Sequence, residues 1–135
     1  MKHYLGNIED ETIKNETFRT TLFTGKHLQL TVMDIKPGED VGLEVHPHVD
    51  QFLRAEAGSG TVLLGESEDS MKEVGELKAD MALIIPAGTW HNVVNSGSES
   101  LKLYSIYAPP NHPEGTIHRT KADAEAAEAA EHGDQ

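Results

Sequence analysis

Between about residues 17 and 108 the chain is a succession of short strand-like runs, each closed by a cluster of Gly, Pro, Asn, Asp or Ser, and this rhythm leaves few folds open. The run Leu28-Gln29-Leu30-Thr31-Val32-Met33-Asp34-Ile35 ends at Pro37-Gly38. Gly42 to His46, Phe52 to Ala57 and Thr61 to Leu64 follow, the last two separated by the turn Gly58-Ser59-Gly60. Lys72 to Leu77, Met81 to Ile85, His91 to Val94 and Leu101 to Tyr107 complete the series, with Asn95-Ser96-Gly97-Ser98 as the turn before the last run. Roughly eight to ten strands at this spacing predict an all-β sandwich or barrel. A chain of 135 residues fits one domain, because a fold of that size buries roughly two-thirds of its unfolded surface.

The end of the chain follows a different pattern. Residues 120–131 read Thr-Lys-Ala-Asp-Ala-Glu-Ala-Ala-Glu-Ala-Ala-Glu, with Thr120 as N-cap, an acid three residues on, and Gly133 as the stop. A short helix or acidic tail is expected over 119–135, after a β-domain over 1–118. Its faces offer only alanine, so the expectation is weak docking and a tail that can be removed without loss of the barrel.

Composition removes several classes of function. The chain has no cysteine, so disulfides, thiolate zinc sites and thiol nucleophiles are excluded, and a bound metal must be held by imidazole and oxygen. A formal charge of -12 with no basic stripe opposes binding to nucleic acid or to an anionic membrane surface. No apolar run approaches the roughly 18 residues needed to span a bilayer, and the first twenty residues are polar and mixed in charge, unlike a signal peptide. The expectation is a cytoplasmic protein with a small-molecule ligand.

Two segments carry the chemistry. Between Gly38 and Gly58 stand Glu44, His46, His48, Asp50 and Gln51; further on, Pro86-x-Gly88-x-x-His91-x-x-x-Asn95 follows Asp80. On a strand, residues two apart share a face, so Glu44 and His46 can aim inward together, with Gln51 after a short turn and His91 opening a later strand. Imidazole nitrogen together with carboxylate or carboxamide oxygen suits manganese, iron, cobalt, nickel or zinc better than calcium or magnesium.

This pair of segments resembles the cupins, small β-barrels whose first motif runs Gly, five residues, His-x-His, three or four residues, Glu, six residues, Gly. The corresponding frame here is Gly38, five residues, Glu44-x-His46, four residues, Gln51, six residues, Gly58. The second cupin motif, Gly, five residues, Pro-x-Gly, two residues, His, three residues, Asn, is matched from Asp80 through Pro86, Gly88 and His91 to Asn95. The resemblance covers about residues 25–108. It implies a single double-stranded β-helix, a jelly-roll-like barrel, with Glu44, His46, Gln51 and His91 as metal ligands. Glu44 and Gln51 depart from the usual His and Glu, a swap that conserves formal charge and exchanges one nitrogen for oxygen. A rival frame, His46-x-His48-x-x-Gln51, shortens the gap before Gln51 and misplaces Gly38.

Cupins include isomerases, dioxygenases, decarboxylases and metal-free binders, so the fold does not fix the reaction. The leading expectation is a metal-dependent isomerase-type reaction on a sugar-like or carbonyl-containing organic acid, with His48, Asp50 or Tyr107 as acid or base. An iron or nickel dioxygenase and a non-catalytic small-molecule binder are the alternatives. Phosphosugars are disfavoured, because no inward position on the motif strands is basic. Strand alternation assigns Phe52 and Trp90 to the outer surface, where a homodimer would cover them.

Overall fold

The computed structural model describes residues 2–133. The chain opens with a short helix that strand patterning does not reveal, α1 (Ile8–Lys14), begun by the side chain of Asn7 accepting from the Asp10 N–H. Nine strands follow: β1 (Arg19–Thr24), β2 (Gln29–Ile35), β3 (Asp50–Ala57), β4 (Ser59–Gly65), β5 (Lys72–Lys78), β6 (Ala82–Ile85), β7 (Trp90–Val94), β8 (Leu101–Ala108) and β9 (Ile117–His118). They pair antiparallel into a six-stranded sheet, ordered β6-β3-β8-β2-β1-β9, and a three-stranded sheet, ordered β5-β4-β7. The fold is therefore all-β, with helix α2 (Lys121–Gly133) at its C-terminal end.

One expected strand is absent as such. Residues 42–46 pair with β7 through the isolated bridge Glu44 to His91, joined on the other side of Gly42 by Asp40 to Val94. Gly42 at φ +101° and the turn after His46 interrupt the extended backbone. The Gly42 N–H, lost to the ladder, goes to Asn92 Oδ1 at 3.1 Å.

Register across the large sheet sorts the barrel interior into a polar and an apolar end. Gln29, Tyr107 and Gln51 lie side by side, then Thr31, Ser105 and Leu53, then Met33, Leu103 and Ala55, and finally Ile35 beside Leu101. The apolar end is completed by Phe18, Val62, Leu77 and Val93, each worth roughly 1.5–3 kcal/mol when fully buried. Turn chemistry holds the strands at these registers. Gly58 sits at φ +80°, and a Cβ there would meet Ser100 O at 2.4 Å, so only glycine fits between β3 and β4. Buried Asn95 ends the second motif by donating to Ile35 O and Glu99 O, both at 2.8 Å, and accepting from Gly97 N.

Helix α2 corrects the expectation of weak docking. Thr120 caps it as predicted, with its hydroxyl accepting from Asp123 N at 3.1 Å. Ala124, however, is 2% exposed and belongs to the core cluster, and Lys121 pairs with Asp40 at 3.0 Å. A small side chain buries little area, but it lets the helix axis approach closely. Gly133 is the last helical residue rather than the one beyond it. Residues 134 and 135 and the side chain of His132 lie outside the described residues.

Candidate metal centre

Glu44 and His91 exchange both backbone hydrogen bonds, Glu44 N to His91 O at 3.0 Å and His91 N to Glu44 O at 2.9 Å, which turns their side chains to the same face. His46 follows two residues after Glu44 and is fixed by Gly88 N donating to its carbonyl at 2.9 Å. Its Nε2 lies 3.0 Å from Glu44 Oε2, and its ring centroid lies 5.3 Å from that of His91. One ligand atom each from Glu44, His46 and His91 fall within 4.8 Å of one another, a set able to hold a metal ion.

The state of each group suits that role. His91 Nδ1 is 3.0 Å from Thr89 O; a carbonyl only accepts, so Nδ1 carries the proton and Nε2 keeps its lone pair for a metal. Burial lowers the His91 pKa below the ordinary imidazole value, keeping the ring neutral. Burial alone would raise Glu44, but the hydrogen bond and charge of His46, aided by Arg19 and His91, outweigh it and hold the carboxyl below its usual range. Both groups are deprotonated at neutral pH, as metal binding requires.

Gln51 is buried on the same polar end. Its Nε2 donates to Ser105 Oγ at 2.9 Å, while Oε1 is buried without a hydrogen-bond partner. An orphaned amide oxygen costs about 1–3 kcal/mol in a dry interior. Imidazole nitrogen, carboxylate oxygen and amide oxygen are donor types that suit a divalent transition ion.

The acid–base candidates separate. Tyr107 is 3% exposed and sets its ring edge-on to His46 at 6.1 Å and to His112 at 5.1 Å. Burial raises its hydroxyl pKa, against the opposing charge of Arg19. His48 is exposed in the turn after His46 and outside the three-residue cluster. Asp50 is exposed too, and its carboxylate accepts from Ala87 N at 2.9 Å, which ties down the loop before His91. Neither lines the cleft above the cluster.

That cleft has a volume of about 440 Å³ and an apolar wall of Leu43, Val45 and Trp90 beside Glu44 and His46. Trp90, on the face of β7 opposite His91, borders this cleft. Asn111 and His112 close another side, and α2 contributes Glu128. Gln29 explains how that loop is held: its Oε1 accepts from Asn111 N and His112 N at 3.0 and 2.9 Å, and its Nε2 donates to His112 O at 2.7 Å. Burial, with the charge of Arg19, lowers the His112 pKa to about 3, and its Nε2 is buried without a partner. Motif reading misses both His112 and Arg19, which lie outside the two motifs.

Comparison with known proteins accords with this geometry. The Cupin domain family profile matches residues 31–107. The chain is 58% identical over 127 residues to the uncharacterized protein YrkC of Bacillus subtilis, covering 94% of this chain and 68% of that protein. It is 43% identical over 115 residues to the uncharacterized protein L612 of Acanthamoeba polyphaga mimivirus, covering 84% and 70%. A crystal structure of the Bacillus halodurans protein BH2720, 56% identical, matches with a TM-score of 0.87 over 93% of this chain and 95% of that one.

Proposed function

The chain belongs to the cupin family, and on that premise we propose that it is a metal-dependent small-molecule enzyme in which Glu44, His46, Gln51 and His91 hold one divalent transition ion. The observation that carries this reading is the convergence of a carboxylate and two imidazoles within 4.8 Å beside an open cleft. The proposed reaction is of isomerase type, moving a proton between neighbouring carbons of a sugar-like or carbonyl-containing organic acid. When bound, the ion would polarise a carbonyl or enolate oxygen.

The chain's own groups supply the rest. Leu43, Val45 and Trp90 exclude water from one side of the cleft. His112 borders the cleft with Nε2 unpartnered, free to take a hydrogen bond from a substrate, and the Tyr107 hydroxyl, kept protonated by burial, belongs to the ring that packs edge-on against it. In deuterated water the metal-loaded protein should exchange a carbon-bound hydrogen of a responsive member of a panel of keto acids and ketoses, read by NMR under anaerobic conditions. His112→Ala and Tyr107→Phe should each slow that exchange by about tenfold or more, through lost positioning of the substrate. Exchange rates equal to wild type in both variants would reject these roles.

A second reading has its own support. Two histidines and a carboxylate with open positions are also the ligand set of non-haem iron oxygenases. Oxygen uptake by the iron-loaded protein, absent from the manganese-loaded form, would favour it. Neither uptake nor exchange would favour a non-catalytic binder.

We also propose that the protein is cytoplasmic and a homodimer; among the described residues no helix is long and apolar enough to cross a membrane. On the outer face of the large sheet Ile84 is 66% exposed, and Phe52 lies opposite Ile84 in register and 6.1 Å from Tyr104. A second copy would cover this patch. Light scattering should give twice the chain mass at micromolar concentration, and Ile84→Glu should halve it; a monomeric wild type would remove the proposal.

A further inference from the structure

Arg19 opens β1, outside both motifs, yet it is only 2% exposed. Its Nη1 donates to His118 Nδ1 at 3.2 Å and lies 3.9 Å from Glu128 Oε1, while its Nε is buried without a hydrogen-bond partner. Glu128 lines the cleft from α2, so the guanidinium reaches toward the cleft that Glu44 and His46 also line. A buried guanidinium has five donors and a full charge, and its desolvation is offset only by an anion at hydrogen-bonding distance. At 3.9 Å, Glu128 supplies the opposite charge but not a short, two-pronged contact.

From this geometry we infer that Arg19 is the recognition group for a carboxylate on the substrate, and that Glu128 is the counter-charge this carboxylate displaces. The inference deepens the proposed metal reading and rests on it for the charge of the loaded site. A divalent ion offset by Glu44 alone leaves one surplus positive charge, and Arg19 adds a second. Glu128 cancels only one of the two, so the loaded cleft favours an anion against the protein's overall charge of -12. A carboxylate matches the planar fork of a single arginine. A phosphate dianion calls for more donors, and no lysine or second arginine lines the cleft. The apolar wall then receives the carbon skeleton.

The test is calorimetric titration of succinate, its neutral diamide and inorganic phosphate into wild type, Arg19→Met and Glu128→Gln, each with and without stoichiometric manganese. Succinate should bind loaded wild type at least about tenfold tighter than the diamide and tighter than phosphate, and Arg19→Met should lose about that factor. Glu128→Gln should bind succinate several-fold tighter, because a competing carboxylate has gone; a purely structural role for Arg19 would not produce that gain. Glu128 is on the partly exposed face of α2, so this variant remains informative if Arg19→Met fails to fold. Equal succinate affinity in wild type and Glu128→Gln, or preference for phosphate or the diamide, would overturn the inference. Arg19-dependent succinate binding by a protein that takes up no manganese would instead sustain it while removing the metal reading.

Discussion

Alanine at His91 should abolish stoichiometric metal binding, and alanine at His46 should do the same. Each removes one of the two nitrogens in the cluster, and the His91 ring is already oriented by Thr89, so no neighbouring group can take its place without backbone movement. Glu44→Ala should weaken binding by several kcal/mol, because the only anionic ligand then no longer offsets the charge of the cation. Gln51→Glu should retain the metal, since a carboxylate restores the commoner cupin ligand. His48→Ala should retain it fully, because His48 is exposed in a turn outside the cluster. Metal content by mass spectrometry across these purified variants checks the whole set. Loss in His48→Ala with full occupancy in Glu44→Ala would favour the rival His46-x-His48 frame.

A second large effect lies away from the cleft. Asp34→Ala should destabilise the barrel by about 3 kcal/mol at neutral pH, since removing one partner of a buried pair strands the other. Asp34 has a side chain 1% exposed and holds Lys102 at 3.0 Å on the neighbouring strand, while Lys102 also donates to Asn15 O at the end of α1. Lys36, at 2.9 Å, is more than half exposed and adds little. Burial pulls the Asp34 pKa up, but hydrogen bonds from Lys36 and Lys102 outweigh it and hold the carboxyl below its ordinary value. A depressed carboxyl stabilises the fold fully above the unfolded pKa near about 4 and loses that contribution as pH falls through the lower folded value. Urea denaturation should therefore show the full penalty at neutral pH and a smaller one in acid below the ordinary carboxyl range. An equal penalty at both would assign the effect to packing rather than charge.

Most strand positions were legible from the sequence, though Arg19–Thr24 and Ile117–His118 were not and 42–46 forms no regular strand; of the four ligands that the cupin frame implies, the structure brings Glu44, His46 and His91 together. Turn residues closed each run, and the intervals around Glu44, His46, Gln51 and His91 matched a known frame. The groups that complete the cleft were not legible, because tertiary packing brings them there. Arg19 reads locally as the first residue of a strand, Glu128 as one acid in an alanine-rich helix, and His112 as a loop histidine; only the buried Gln29 and the closing of α2 through Ala124 place the last two at the cleft. The candidates His48 and Asp50 lie near His46 in sequence, but a turn exposes the first and a hydrogen bond to Ala87 occupies the second.

Glu44, His46, Gln51 and His91 are proposed to hold one ion in this barrel. Anomalous diffraction from crystals of the metal-loaded protein should show a single peak per chain, about 2.0–2.3 Å from a ring nitrogen of His46, Nε2 of His91, a carboxylate oxygen of Glu44 and Oε1 of Gln51. A barrel without a peak, or an ion held by His46 and His48 with Glu44 and His91 turned away, would contradict it.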